Sequence, residues 1–239
     1  MTLLDKTNTL IIVPAYNEQD SVVAVIEEIK ATGFPFVVID DGSTDETRNR
    51  AISAGARTIS LPFNSGVGGS LKCGFQYAVM HGYAAVIQCD ADGQHPVSSF
   101  GELVQKANSS SSHLVIGNRF GSVDRNMHIS KSRLIAMKIL ARAFSIRAGI
   151  NFRDTTSGFR LISHPLLNLF AEQFPRYYLG DTYEALVFSA QKRYQISEIS
   201  VTFRNRAHGV STSSNAHSVG RILQLILEPV ITRRDKFTK

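Results

Sequence analysis

The chain has few of the features that mark secreted or membrane-spanning proteins. Its 239 residues include two cysteines, Cys73 and Cys89, too few for a disulfide framework. The longest apolar runs fall short of the ~18 to 20 residues that a bilayer-spanning helix needs. The first residues, from Met1 to Lys6, contain no extended apolar segment, so we expect no signal peptide. These absences favour a protein of the cytoplasm.

Several common binding motifs are also missing. The spacing of the histidines does not fit a zinc site. Asn64–Gly69 is rich in glycine, but it lacks the Lys-Ser/Thr pair of a P-loop and does not form G-x-G-x-x-G. The net charge is +6, with the excess in the second half, yet no basic surface interleaved with aromatic residues accompanies it. Nucleic acid is therefore the weakest candidate partner, behind phosphate ligands and anionic lipid, and solvated helix faces account for most of these cations.

The first half of the chain alternates strand and helix patterns. Buried strands are predicted at Thr9–Val13, Phe36–Ile39 and Ala84–Cys89, and each leads through a polar turn into a helix. A helix is clearest over Val22–Ile29, and Asn17 and Ser43 or Thr44 are placed to cap helix starts. We expect an α/β fold, with a mostly parallel central sheet flanked by helices in a single domain of residues 1–217.

Acidic side chains follow each of the three predicted strands. They are Glu18, Asp41, Asp90 and Asp92. The carboxyl ends of neighbouring parallel strands form one edge of a sheet, where ligands bind in open α/β folds. Two aspartates with one residue between them, followed by Gln94, offer the oxygen ligands that Mg²⁺ and Mn²⁺ prefer. An isolated Asp-x-Asp is more often a solvated turn, and the three successive strand ends favour a site.

The second half is more polar and basic. Ser109–Ser112 reads as a surface loop, and Lys131–Ala148 as a basic amphipathic helix that suits either core packing or a lipid surface. A helix over Asp181–Lys192 and a strand over Gln195–Phe203 follow. Residues 204–215 form a polar stretch typical of a lid or a disordered loop. Residues 218–239 hold a final amphipathic helix and a basic tail, which could pack on the body, pair with a second subunit in a homo-oligomer, or lie on a membrane.

The ordered motifs of the chain resemble those of glycosyltransferase family 2, which has the GT-A fold. The resemblance covers roughly residues 8 to 215 and rests on six segments: Pro14–Glu18, Asp40–Asp45, Asn64–Gly69, Asp90–Pro96, Gly117–Phe120 and Asp154–Arg160. Their order and spacing look like the branch that makes polyprenyl-phosphate sugars, typified by dolichyl-phosphate mannosyltransferase. Each motif alone is weak evidence, and six in order are strong.

This resemblance implies an inverting, metal-dependent transfer of a hexose from a nucleotide sugar of the GDP-mannose or UDP-glucose type. It implies Asp92 and Gln94 as ligands of Mg²⁺ or Mn²⁺. The catalytic set would be Asp90, Asp92, Asp154 and Arg206. The nucleotide sugar would contact Pro14, Tyr16, Glu18, Ile39, Asp41, Asp90, Ala91, Arg119 and Arg206.

The acceptor separates two enzymatic readings. A polyprenyl phosphate is already anionic, and Arg119 and Arg133, with Ser130 or Ser132, resemble the family's grip on the lipid phosphate. A sugar hydroxyl of a glycan would instead need a general base, for which Asp154 and Asp181 are the candidates. A non-catalytic nucleotide- or membrane-binding relative is the third reading, although Asp90, Asp92 and Arg206 are intact. The lipid reading predicts a peripheral protein at the cytoplasmic face of a membrane.

Overall fold

A central β-sheet organises the computed structural model, which describes residues 2–119, 138–139, 141–142, 144–145, 152–174 and 180–204. Its strands are Thr9–Ala15 (β1), Phe36–Asp40 (β2), Thr58–Ser60 (β3), Ala85–Gln88 (β4), Leu114–Asn118 (β5), Arg160–Ser163 (β6) and Ile196–Ser200 (β7). Its helices are Val22–Thr32 (α1), Thr47–Ser53 (α2), Val67–Met80 (α3), Phe100–Ser110 (α4), Leu166–Gln173 (α5) and Gly180–Gln191 (α6).

The strands of the described residues form one sheet in the order β3-β2-β1-β4-β6-β5-β7. β1 pairs in parallel with β2 and β4, β2 with β3, and β5 with β7. β6 runs antiparallel to both of its neighbours, β4 and β5. The expected mostly parallel sheet is confirmed, and the short strands β3 and β6 are additions that the sequence pattern did not predict.

Both faces of the sheet are covered by helices. Along β1, Leu10 and Ile12 belong to one core cluster, which includes residues of α3, α5 and α6. Ile11 and Val13 point to the other cluster, which includes residues of α1 and α4. This two-residue alternation with apolar side chains on both sides is typical of a doubly covered parallel strand.

Helix α1 confirms the predicted helix and its buried face. Val22, Val25, Ile26 and Ile29 are all buried, and the helix ends at Gly33, whose φ of 75° is left-handed. The predicted caps are wrong, because Ser21 precedes α1 and Glu46 precedes α2 at their N-terminal ends. Asn17 instead accepts a hydrogen bond from the Thr44 amide at 2.9 Å, which joins two loops.

The serine tract differs from its prediction as a surface loop. Ser109 and Ser110 are the last residues of α4, and Ser112 is buried. Both helical hydroxyls donate to the Lys106 carbonyl, at 3.2 and 2.6 Å. Serine in a last helical turn can satisfy its hydroxyl in this way. The helix α4 therefore includes Ser109 and Ser110, where a surface loop was expected.

The described part of the predicted 131–148 helix is helical at each of its six residues. Ala141 and Phe144 are buried, whereas Lys138, Ile139 and Arg142 are exposed. Phe144 packs edge-on against Phe152, with 5.5 Å between the ring centroids. Core packing therefore explains Phe144. The predicted lid from residue 205 onwards and the final helix lie outside the described residues.

Two further predictions from the composition are free cysteines and the lack of a membrane-spanning helix. Cys73 and Cys89 are both free, and Cys89 is buried, as predicted. Burial, followed by the nearby charges of Asp90 and Asp92, raises the pKa of the Cys89 thiol well above its usual value, which leaves it unreactive. Within the described ranges, no helix is long and apolar enough to cross a bilayer.

Candidate active site

The predicted acidic turns come together at one edge of the sheet. β1 lies between β2 and β4, and Ala15 at its end is level with Asp40. The segments that follow these three strands carry Glu18, Asp41, Asp90 and Asp92. Because the three strands are parallel neighbours, their loops lie side by side along one edge of the sheet, and we call the space at that edge the cleft.

Hydrogen bonds join the loop after β1 to the loop after β2. Asn17 has a left-handed φ of 54°, and its amide donates to Ser43 Oγ at 3.0 Å. The Glu18 amide donates to Thr47 Oγ1 at 2.7 Å. Ser21 Oγ donates to Glu18 Oε2 at 2.9 Å. These contacts fix the backbone of the segment in which Pro14, Tyr16 and Glu18 are each partly exposed.

Asp41 links these two loops to the segment before α3. Its side chain is buried, and Oδ1 accepts hydrogen bonds from the Ser65 amide at 2.8 Å and the Ser65 hydroxyl at 2.7 Å. Its own amide donates to the Ala15 carbonyl at 2.8 Å. Ile39, one of the predicted nucleotide contacts, is fully buried among core side chains. Both residues stay predicted contacts of the nucleotide, and Asp41 additionally joins the loop after β2 to the segment before α3.

Gly42 makes the close turn after β2 possible. Its φ is +70°, and a Cβ at this position would lie 2.7 Å from the carbonyl carbon of Phe63. Such a contact is with backbone, which cannot move aside as a flexible side chain does. The two loops therefore approach each other here because residue 42 has no side chain.

The turn after β4 carries the proposed metal ligands. Asp92 Oδ1 accepts a hydrogen bond from the Gln94 amide at 3.0 Å, so both side chains start from one tight turn. Both are partly exposed, whereas Ala91 between the two aspartates is buried. A carboxylate and an amide oxygen at the cleft suit Mg²⁺ or Mn²⁺.

The rest of the coordination shell would come from a bound ligand. Across the described residues, no group of three or more His, Cys, Asp or Glu side chains could hold a metal ion. Mg²⁺ keeps several waters and is typically bound by one or two carboxylates together with substrate phosphates. The donor set of Asp92 and Gln94 fits that arrangement, in which diphosphate oxygens complete the shell.

Asp90 is held by side chains on both sides of it. Gln88 Nε2 donates to Asp90 Oδ1 at 3.1 Å. His95 Nε2 lies 3.6 Å from Asp90 Oδ2, and His95 Nδ1 accepts a hydrogen bond from the Asp90 amide at 2.9 Å. The Asp90 side chain remains 37% exposed, so it is fixed and still accessible from the cleft.

Arg119 and Asp154 form a two-point ion pair. Arg119 Nε donates to Asp154 Oδ2 at 2.7 Å, and Nη2 donates to Oδ1 at 3.0 Å and to Thr156 Oγ1 at 2.8 Å. Burial alone would raise the pKa of Asp154, but the charge of Arg119 and the hydrogen bonds from Arg119 and Thr156 outweigh it. The net result is a lowered pKa, which makes Asp154 a weak base.

Glu198 on β7 supports both sides of this pair. It accepts hydrogen bonds from Asn118 Nδ2 at 3.3 Å and from the Arg153 amide at 3.2 Å. Asn118 precedes Arg119 and Arg153 precedes Asp154, so one carboxyl group positions the backbone next to each partner. Burial is the main cause that raises the pKa of Glu198.

Arg160 holds the turn that carries Asp154. It is 3% exposed, and its guanidinium donates to the carbonyls of Ser157 at 2.6 Å and Thr182 at 2.8 Å. Thr182 lies at the start of α6, so Arg160 ties the turn to that helix. Asp181 precedes Thr182 in α6, and its side chain lies outside the described residues.

Sequence reasoning missed three of these structural supports. In the sequence, Ser65, His95 and Arg160 are visible only as members of the family motifs Asn64–Gly69, Asp90–Pro96 and Asp154–Arg160. The signal for Arg160 was a cation inside an otherwise apolar run, Phe159–Ile162, where a buried charge needs acceptors. Of the predicted phosphate-binding residues, Ser130, Arg133 and Arg206 lie outside the described residues.

A groove of about 630 Å³ lies at the opposite end of the sheet. It is lined by residues that precede the parallel strands, including Leu4, Ala84, His113 and Gln195. None of the predicted site residues takes part in it. The convergence of polar side chains, rather than cavity size, therefore marks the candidate site.

The comparison with protein families agrees with this geometry. The model of glycosyl transferase family 2 matches residues 10–170. The chain belongs to this family. The matched span contains the strand ends described above, together with Arg119, Asp154 and Arg160.

Individual family members align along most of the chain. Glycosyltransferase AglJ of Haloferax volcanii is 28% identical over 221 residues, covering 91% of this chain and 70% of the relative. Polyprenol monophosphomannose synthase of Mycolicibacterium smegmatis is 25% identical over 231 residues, covering 90% of this chain and 84% of the relative. The protein is thus a glycosyltransferase, and relatives named for dolichyl or undecaprenyl phosphate are among the matches.

Solved structures give the fold. Glucosyl-3-phosphoglycerate synthase of Mycobacterium tuberculosis, crystallised with Mn²⁺, UDP-glucose and phosphoglyceric acid, superposes with a TM-score of 0.71. The two chains are 21% identical, and the match covers 96% of this chain and 81% of the other. The predicted GT-A fold is confirmed.

Proposed function

We propose that this glycosyltransferase moves a hexose from a nucleoside diphosphate sugar to a polyprenyl phosphate, with inversion at the anomeric carbon. A phosphate oxygen of the lipid attacks the anomeric carbon, the bond from that carbon to the diphosphate breaks, and the nucleoside diphosphate leaves. The donor is of the GDP-mannose or UDP-glucose type. The protein would work as a peripheral protein at the cytoplasmic face of a membrane.

The Arg119–Asp154 pair is the observation that favours a phosphate acceptor. A sugar hydroxyl needs a base within reach, and Asp154 is one of the two carboxylates expected to serve. Its buried side chain is engaged at both oxygens by Arg119, and its pKa is lowered. A phosphate acceptor is already ionised, so a paired Asp154 presents no obstacle to its attack.

The cleft residues divide the remaining work. Pro14, Tyr16, Glu18 and the segment braced by Asp41 would bind the base and ribose, and Asp90 with Ala91 would face the sugar and diphosphate. Asp92 and Gln94 would hold Mg²⁺ or Mn²⁺, which when bound offsets the charge of the leaving diphosphate. Arg206 would close over that diphosphate.

Arg119 and Arg133, with Ser130, would orient the acceptor phosphate. A planar guanidinium whose nitrogens are not otherwise engaged can donate to two phosphate oxygens, which is the role proposed for Arg133. In Arg119, Nε and Nη2 already bind Asp154, so Nη1 is the nitrogen we assign to the ligand. The relatives named for polyprenol, dolichyl phosphate and undecaprenyl phosphate support this acceptor class.

A matrix of donors and acceptors tests the proposal. GDP-mannose, UDP-glucose and UDP-N-acetylglucosamine are each incubated with a short-chain polyprenyl phosphate, with the matching polyprenol, or with an oligosaccharide, in MnCl₂ or EDTA. We expect lipid-linked sugar by mass spectrometry only from the phosphorylated lipid, and none in EDTA. Transfer to the oligosaccharide but not to the lipid would overturn the proposal and identify a glycan hydroxyl as the acceptor.

A further inference from the structure

His95 occupies an unusual place for a buried histidine. Its ring is 5% exposed and packs against Phe159 and Phe203, at centroid distances of 5.1 and 5.3 Å, and these two phenylalanines also contact each other at 6.1 Å. A histidine held only by core packing would have no reason to aim its polar atoms at one neighbour. Here both ring nitrogens face Asp90, in the loop that follows β4.

The contacts define which ring nitrogen of His95 carries the proton. Nδ1 accepts the hydrogen bond of the Asp90 amide at 2.9 Å, so Nδ1 is unprotonated. The proton of the ring is then on Nε2, which lies 3.6 Å from Asp90 Oδ2. This distance is longer than a hydrogen bond, and the interaction is an electrostatic attraction between an N–H dipole and a carboxylate.

The surroundings restrict Asp90 to this arrangement. Gln88 binds the other carboxylate oxygen at 3.1 Å. The backbone of Gly158 lies close to the side chains of Gln88 and Asp90. A Cβ at Gly158 would be 3.0 Å from Gln88 Nε2 and 3.5 Å from Asp90 Oδ2. With the ring of His95 packed against two phenylalanines, Asp90 is held by hydrogen bonds at its backbone amide and at Oδ1, and by electrostatic attraction at Oδ2.

We propose that His95 is a positioning residue that fixes the Asp90 carboxylate for binding of the donor sugar and diphosphate. The inference rests on the proposed function, because Asp90 belongs to the proposed donor site. His95 acts through Asp90 and contacts no substrate. Misplacing a reacting or binding group by about 1 Å is enough to cost on the order of 10²-fold in rate.

A double-mutant cycle tests this coupling. His95→Leu keeps an apolar side chain against Phe159 and Phe203 but removes both nitrogens. We expect it to lower kcat about 10- to 100-fold, with a change in acceptor KM below about 3-fold. In an Asp90→Asn background the same substitution should cost less than about 2-fold, because contacting residues that act as one unit are not additive. Equal losses in both backgrounds would assign His95 a merely structural role.

Conservative variants identify the nitrogen that matters. In His95→Asn, Oδ1 takes the place of Nδ1 and accepts the Asp90 amide. In His95→Gln, Nε2 takes the place of the ring Nε2. Since the 2.9 Å bond is the shorter contact, we expect Asn to recover more of the lost kcat than Gln. A recovery by neither, in proteins with wild-type melting temperatures, would overturn the proposal.

His164 provides the matched control at the other end of the sheet. Its Nε2 is 3.1 Å from the Tyr83 carbonyl, and it lines the groove away from the cleft. His164→Asn should leave kcat and KM unchanged.

A second readout separates this inference from the proposed function. Titration of GDP or UDP in the presence of MnCl₂ measures donor-site affinity without any acceptor. Absence of lipid-linked product with wild-type protein would overturn the proposed function alone. A His95→Leu loss of nucleotide affinity that disappears in the Asp90→Asn background would still support the positioning role, and a loss that persists there would refute it.

Discussion

Arg119, which follows β5, donates two hydrogen bonds to Asp154 in the turn before β6, 35 residues along the chain. Nε lies 2.7 Å from Oδ2, and Nη2 lies 3.0 Å from Oδ1. The pair is close to the sheet edge, with Asp154 fully buried and Arg119 14% exposed at its side chain. The pair lowers the basicity of Asp154 and engages Nε and Nη2 of Arg119. The lowered pKa of Asp154 also makes the pair a contribution to stability that depends on pH.

Asp154→Asn should destabilise the fold by about 3 to 5 kcal/mol at pH 7, because it leaves the Arg119 charge without its buried partner. The folded pKa lies below the unfolded value of about 3.9. The stabilisation is therefore fully present above that value and is lost as pH falls through the folded pKa. Urea unfolding of both proteins at pH 7 and in acid measures this.

The exposed pair of Asp20 and Arg50, 3.7 Å apart, supplies the control for that comparison. Asp20→Asn should cost less than about 1 kcal/mol at either pH. A constant difference between Asp154→Asn and wild type across the whole pH range would show that ionisation of Asp154 does not contribute.

The strongly periodic parts of this fold were predictable from the sequence. The buried residues of α1 repeat with the period of a helix, and β1, β2 and β4 are short apolar runs that end at turn residues. Parallel pairing then places the acidic turns that follow these strands at one edge of the sheet. β6 was missed because Arg160 interrupts its apolar run. Its burial depends on carbonyls of Ser157 and Thr182, whose positions only the fold determines.

Individual roles within the site were harder to predict than its place. Asp41 reads as a ligand-facing carboxylate from sequence, yet its Oδ1 binds Ser65, 24 residues away. His95 interacts with the backbone and side chain of Asp90, and no spacing in the sequence indicates these contacts. Hydrogen bonds between loop residues, whether 5 or 24 positions apart, leave no periodic trace in a sequence.

Asp92→Ala should remove metal-dependent turnover, since it deletes the proposed anionic metal ligand on the turn after β4. Loss of one such electrostatic contact typically lowers the rate on the order of 10² to 10³-fold, and loss of the metal lowers it further. Initial rates are measured against MnCl₂ concentration after treatment with EDTA. The exposed Glu102 in the first turn of α4 is the control, and Glu102→Ala should match wild type. Undiminished turnover by metal-free Asp92→Ala would refute the metal assignment.

Arg133→Ala should weaken the lipid acceptor more than the nucleotide sugar. A charge-assisted hydrogen bond to phosphate contributes about 1.5 to 3 kcal/mol, which is roughly a 10- to 150-fold rise in acceptor KM. Donor KM should change little. Arg142, an exposed cation of the same predicted helix, is the matched control, and Arg142→Ala should leave both constants near wild type. Equal effects of Arg133→Ala on donor and acceptor would contradict a dedicated acceptor role.

Gly42→Ala should damage the nucleotide pocket through the backbone alone. The left-handed conformation costs a residue with Cβ about 1 to 2 kcal/mol, and the overlap with the Phe63 backbone adds to this or forces the two loops apart. Because Asp41 and Ser65 lie in those loops, we expect lower nucleotide affinity by calorimetry together with a lower melting temperature. Gly101→Ala is the contrasting substitution: Gly101 lies within α4, and beyond the adjoining backbone of that helix no atom is within 4 Å of the added Cβ. Alanine is the better helix former, so that variant should gain about 0.5 to 1 kcal/mol and bind nucleotide normally. If Gly42→Ala bound nucleotide as tightly as Gly101→Ala, the loop after β2 would have no part in the donor site.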